Sequence, residues 1–197
     1  MKTTRLPRLL SCMNDDSAVA DQPLAQQLIG ETLDDMKEYV ERQTVREAAR
    51  FMLSYSNFIN RKNLKSCEQL NVIVLPGDIC FIDFGQAYLN EAGYQHFGLV
   101  LSIVHSKAFV VPMTSNPSTY AQAYDPIEFA CGKRHLMRLG LQKGMNRNSV
   151  LFLNDCKFIN TSRIIEVKGH IGIEGKLFKE VEERVKECLF ETSAQSE

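Results

Sequence analysis

Apolar positions change their period partway along the chain. In the first third, Leu24, Leu28, Ile29, Leu33, Met36 and Val40 recur three or four residues apart, which keeps one face of a helix oily. Asp21 and Pro23 mark its start, because proline is tolerated in a first turn whose N–H groups lack helical partners anyway. Thr44 and Glu47 have the spacing of a capping box, so a second helix is predicted from about Val45, with Ala48, Phe51, Met52, Tyr55 and Ile59 on its buried side. Together the two form a helical hairpin or one kinked helix ending near Asn60. The first sixteen or so residues are expected as a loose lead-in.

From Val72 onward the apolar runs are short and rich in β-branched residues: "NVIVL", "DICFIDF", "FGLVLSIV", "AFVVPM", "HLMRLGL", "SVLFLN" and "CKFINTSRIIEV". Separated by Gly, Pro, Asn and Ser, they predict a compact antiparallel sheet or small barrel. In "EGKLFKEVEERVKECLF" the stripe Leu177, Phe178, Val181, Val185, Cys188 and Leu189 predicts an amphipathic helix lying on that sheet. The fold class is therefore α+β. The polar stretch "NRKNLKSCEQ" is the expected linker, dividing the chain into a helical extension, residues 1–66, and a β-barrel domain, residues 67–197. Residues 115–134 lack a clear period and are expected as a long excursion between strands.

Composition narrows the function classes. With 44% hydrophobic residues in 197, the chain has enough apolar material for a core. A formal net charge of -1 provides no global basic field, so any polyanion site must be a local patch. The basic stretch Lys133, Arg134, His135, Arg138, Lys143 and Arg147 is one such patch, or else one solvated face of a hairpin. Six cysteines occur without a C-x-x-C pair and four histidines without ligand spacing, so neither a metal centre nor a cofactor is expected. No apolar stretch approaches the roughly 20 residues a bilayer requires, and the N-terminus lacks the apolar segment of a secretion signal. The expectation is a reduced, cytoplasmic protein without membrane contact.

The candidate chemistry lies in "GDICFIDFGQAYLNEAGYQHFGLVLSI", where Glu91, Tyr94, Gln95 and His96 interrupt two strand-like runs. Histidine suits proton transfer near neutrality, with an unperturbed pKa of about 6.5. It is equally a residue of ordinary surface loops. Thr114, in "PMTSN", offers a hydroxyl at a strand end, or simply starts a turn with Ser115, Asn116 and Pro117.

The order "PGDICFIDF", "NEAGYQHFGLVLS", "FVVPMTSN", "SVLFLNDCKFINTSRI" and a terminal helix resembles the MazF/PemK family of toxin endoribonucleases, over roughly residues 76–189. Gly77-Asp78 match the family's opening Gly-Asp, and Glu91 its loop glutamate. His96-Phe97 stand where the family has Arg-Pro. Thr114 matches the family threonine, Asn154-Asp155 a polar pair, and Arg163 a downstream basic position. The resemblance implies a sequence-selective, metal-independent endoribonuclease that acts on single-stranded RNA, forms a homodimer and is held by a cognate antitoxin. His96, Thr114 and Asp155 are the catalytic candidates, Asp155 to orient His96 or hold it protonated. Glu91, Tyr94, Gln95, Ser115, Asn116, Arg134, Arg138, Asn154 and Arg163 are the candidates for contact with the RNA. CcdB-like proteins share this barrel and bind gyrase instead, so loss of the Arg-Pro pair also fits a partner-binding inhibitor or a silent RNA-binding module. The helical segment, residues 22–60, has no family counterpart; packing on the barrel, extending a dimer interface and restraining an RNA groove are its three open uses.

Overall fold

The structure is a computed structural model that describes residues 5–190. The chain divides into two compact units, Met1–Phe51 and Met52–Glu197.

The first unit is helical. α1 (Leu6–Ser11) stands where a loose lead-in was expected. Arg5 ties this stretch down: its guanidinium meets Glu31 at 2.9 Å and Asp35 at 2.7 Å, both on α2 (Pro23–Glu41). The predicted proline start of α2 is present, and Leu28, from its oily face, is fully buried. The capping box also forms at α3 (Val45–Arg61), but of its predicted buried side Phe51 is buried while Met52, Tyr55 and Ile59 are exposed. The Glu47 backbone N–H donates to Thr44 Oγ1 at 3.3 Å, and the Thr44 backbone N–H returns a bond to Glu47 Oε2 at 3.1 Å. The Thr44 hydroxyl donates to Glu47 Oε2 at 2.8 Å and, ahead of the Thr44 backbone N–H, holds the Glu47 carboxyl below its ordinary range.

The second unit takes in the rest of α3 from Met52 and an eight-stranded, mostly antiparallel sheet. Its strands are β1 (Asp78–Asp83), β2 (Gln95–Val104), β3 (Lys107–Thr114), β4 (Ala123–Tyr124), β5 (Lys133–Gly140), β6 (Ser149–Phe152), β7 (Lys157–Asn160) and β8 (Ile164–His170). Their order is β4-β5-β6-β3-β2-β1-β8, and β7 also pairs with β3. β3 therefore forks: its first half, Lys107 to Val110, pairs with β7, and its end, Met113 and Thr114, pairs with β6. The class is α+β with a C-terminal helix, as the pattern predicts.

Two corrections concern local structure. "NVIVL" forms no strand, although Val72 and Val74 still pack on the core. "CKFINTSRIIEV" is two strands, separated by a 3₁₀ turn over Thr161–Arg163. The expected excursion contains the short helix α4 (Pro117–Gln122) and strand β4. "NRKNLKSCEQ" includes a 3₁₀ turn beginning at buried Cys67, whose N–H donates to Thr161 Oγ1 at 3.3 Å.

Both faces of the central strands are buried, so they read as continuous apolar runs. Ile79, Leu99, Val111, Met113 and Leu151 form one core with Phe178, Val181 and Val185 of α5 (Lys176–Phe190). Cys80, Ile82, Val100, Val110 and Ile164 line the opposite face. Burial pushes the Cys80 thiol up to about 12, so its reactive thiolate is scarce at neutrality. In a thiol titration of the native protein, exposed Cys131 is expected to react first and Cys80 only on unfolding. Prompt modification of Cys80 would contradict this packing.

Candidate functional site

The loop between β1 and β2 is built at a narrow neck. Phe84 N–H donates to Tyr94 O at 2.8 Å, and Tyr94 N–H donates to Gly85 O at 2.6 Å. Asn90 and Tyr94 take positive φ, 70° and 54°, to turn the chain. Gly93 is buried at a close crossing: a Cβ there would lie 2.5 Å from the Ala87 Cβ, so only glycine passes without shifting the loop.

His96 follows directly, in the second position of β2. Its Nδ1 lies 2.5 Å from Gly93 O. A carbonyl only accepts, so Nδ1 carries the hydrogen and the lone pair of the neutral ring resides on Nε2. β2 pairs with β3 through Phe97↔Met113 and Gly98↔Pro112. His96 and Thr114 are the next residues on the two strands beyond the last pair, Phe97↔Met113. Thr114 Oγ1 accepts from Asn116 N at 3.2 Å, and its hydroxyl hydrogen remains available for donation to a ligand. His96 pairs across β1 with Ile82, and Thr114 pairs across β6 with Val150, so each has a buried apolar neighbour on its outer side.

Asp155 is tied to the loop. Its Oδ2 accepts from Ala92 N at 2.6 Å, and its Oδ1 pairs with Lys157 Nζ at 2.7 Å. The Lys157 ammonium also lies 5.7 Å from the centroid of the Phe84 ring, which reaches over Gly98. A continuous chain of contacts thus runs from His96 through Gly93 and Ala92 to Asp155 and Lys157. Sequence reasoning passed over Lys157 because it sits inside an apolar run, where it reads as an edge-strand charge. Its only signal was its place two residues after Asp155.

The residues expected on RNA disperse around this centre. Glu91 is exposed and folds back on its own loop, accepting from Tyr88 N at 3.2 Å. Tyr94 is half-buried at the neck, and Ser115 is half-buried just past Thr114. Asn116 caps α4, accepting from Ser118 N at 2.9 Å. Asn154 is exposed in the 3₁₀ turn Leu153–Asp155. Arg138 lies in the same cross-sheet row as Thr114, by way of Val150, but Glu128 at 2.6 Å and Asp125 at 3.7 Å neutralise it. Arg134 is further away on β5, stacked 5.2 Å over Tyr124.

Gln95 and Arg163 belong to a second cluster, around Asp83. This carboxylate is 4% exposed and accepts four bonds: Ser54 Oγ at 2.8 Å, Asn57 Nδ2 at 2.7 Å, Gly85 N at 3.0 Å and Gln95 Nε2 at 3.2 Å. Arg163 Nη1 donates to the carbonyls of Asp83 at 3.3 Å and Phe84 at 3.1 Å. Among the described residues, no group of His, Cys, Asp and Glu has the arrangement of a metal site. No helix among them is long and apolar enough to cross a membrane.

No protein-family model matches the chain, and no curated protein does. Among solved structures, the chain is similar to MazF (Form-I) from Deinococcus radiodurans, at 19% identity and a TM-score of 0.44, covering 60% of this chain and 97% of that one. It is similar to the MazE-MazF (Form-II) structure from the same organism at 18% identity, with a TM-score of 0.41 and coverage of 60% and 96%. It is also similar to the Mycobacterium tuberculosis toxin MazF-mt6, at 12% identity and a TM-score of 0.39, covering 56% of this chain and 94% of that one.

Proposed function

We propose that the protein is a toxin-type endoribonuclease that cuts single-stranded RNA without a metal ion, through a 2′,3′-cyclic phosphate. The observation that supports the reading is the position of His96 and Thr114 at the adjoining ends of β2 and β3, just past the Phe97↔Met113 pair, under a loop whose backbone holds the imidazole. His96 Nε2 takes the 2′-hydroxyl proton. The freed oxygen attacks phosphorus, and the bond to the 5′-oxygen breaks. The imidazolium then supplies the proton that the departing oxygen needs. Thr114 Oγ1 donates to a non-bridging oxygen, and Lys157 faces the charge that builds on the phosphorane. Asp155 acts as a positioning residue, holding both the loop at Ala92 and the ammonium of Lys157.

Histidine in place of the family arginine suits this scheme, because both of its protonation states are accessible near neutrality. The sequence resemblance supports a homodimer held by a cognate antitoxin. The test is incubation of the purified chain with a defined single-stranded RNA in EDTA. Cleavage leaving cyclic phosphate and 5′-hydroxyl ends is the expected result. Intact RNA across varied sequences would remove the enzymatic reading and favour partner-binding inhibition.

A further inference from the structure

Beside Asp83 lies a cavity of about 450 Å³ that the proposed cleavage chemistry leaves unused. Its walls come from the C-terminal half of α3, the base of the β1–β2 loop and the turn before β8. A volume of this order holds a ligand of several rings.

The charges in it are unbalanced. Arg61, Lys62 and Arg163 line it, against the single carboxylate of Asp83, which four neutral donors already satisfy. Arg61 Nη1 is held by the carbonyls of Ser162 at 3.2 Å and Ile164 at 3.0 Å, as Arg163 Nη1 is by those of Asp83 and Phe84. Among the described residues, neither guanidinium has a carboxylate partner. Two planar forks fixed by carbonyl groups, with Nε and Nη2 uncommitted, match the oxygens of a phosphate.

The apolar part of the wall is aromatic. Tyr55 and Phe58 line the cavity, and Phe58 remains 57% exposed, with Lys62 Nζ 5.9 Å from its ring centroid. An exposed aromatic face beside uncommitted arginines is how single-stranded RNA is held, base on ring and phosphate on guanidinium. Gln86 adds an amide for a base edge.

We propose that this cavity seats one nucleotide of the RNA substrate, with its base on Phe58 or Tyr55 and its phosphate on Arg61 and Arg163. The inference rests on the endoribonuclease reading and assigns α3 to substrate recognition. The same loop serves both places: Gly85 and Gln86 wall the cavity, and Gly93 holds His96. Gln95, the residue before His96, reaches Asp83 at the cavity wall.

The test measures binding separately from cleavage. Fluorescent 2′-O-methyl hexanucleotides of each base cannot supply the attacking hydroxyl, and anisotropy reports their affinity for the full chain. Phe58→Ala is expected to weaken binding of the preferred probe about tenfold. Arg163→Gln is expected to flatten the salt dependence by about one phosphate contact. Phe58→Leu keeps the bulk, removes the π face, and serves if the alanine variant fails to fold.

Cleavage of natural RNA is followed in parallel. Weakened binding by a protein that cuts nothing would support the cavity and end the nuclease reading. Normal cutting with unchanged affinity in Phe58→Leu and Arg163→Gln would end the cavity proposal alone. A wild-type chain that binds none of the probes, or a Phe58-dependent site that takes a peptide and no RNA, overturns it as well.

Discussion

His96→Ala is expected to lower the single-turnover rate of RNA cleavage by about 10²- to 10⁴-fold, the range over which a positioned acid or base acts. The loss should appear in kcat with KM nearly unchanged, because the imidazole contributes to proton transfer rather than to uniform binding. Thr114→Ala removes one hydroxyl donor to the phosphorane and is expected to cost about 10²-fold. If the two residues share one phosphate, the double variant should lose less than the product of the single effects. A His96→Ala enzyme that cuts at the wild-type rate would remove the imidazole from the chemistry.

Asp83→Ala should produce the largest stability loss of any substitution discussed, about 3–5 kcal/mol. The carboxylate is buried and accepts from Ser54, Asn57, Gly85 and Gln95. Removing it leaves the buried Ser54 hydroxyl and Gln95 amide without this acceptor, and each buried unpaired donor costs about 1–3 kcal/mol. For a unit of this size the melting temperature should fall by about 10 °C, with early proteolysis within Met52–Arg61. Asp83→Asn keeps one acceptor oxygen, so its loss should be smaller. An alanine variant that melts within a degree or two of wild type would show that these bonds contribute little.

Local signals were legible in the sequence. The Thr44–Glu47 box, the proline start of α2 and the stripe of α5 each depend on residues within a turn or two, and all three formed. Most strands were legible because both their faces are oily. "NVIVL" was not, since Val72 and Val74 are apolar for packing while their backbone joins no ladder. The site was visible only in part. His96 and Thr114 stood out as polar residues at the ends of apolar runs. The partners of Asp83 lie 29 and 26 positions away on a helix, and no periodicity links them. Asp155, expected to orient the imidazole, accepts from Ala92 N and so steadies the segment that carries the ring's carbonyl partner.

The forked pairing of β3 places a demand on any insertion or deletion in this chain. One strand serves three neighbours, so adding a single residue between Val110 and Met113 would leave one prong in place and rotate the other to its opposite face. Thr114 would then turn away from His96 while the β7 side stayed intact. Length changes tolerated during evolution should therefore collect outside this strand, in the turns flanking β4.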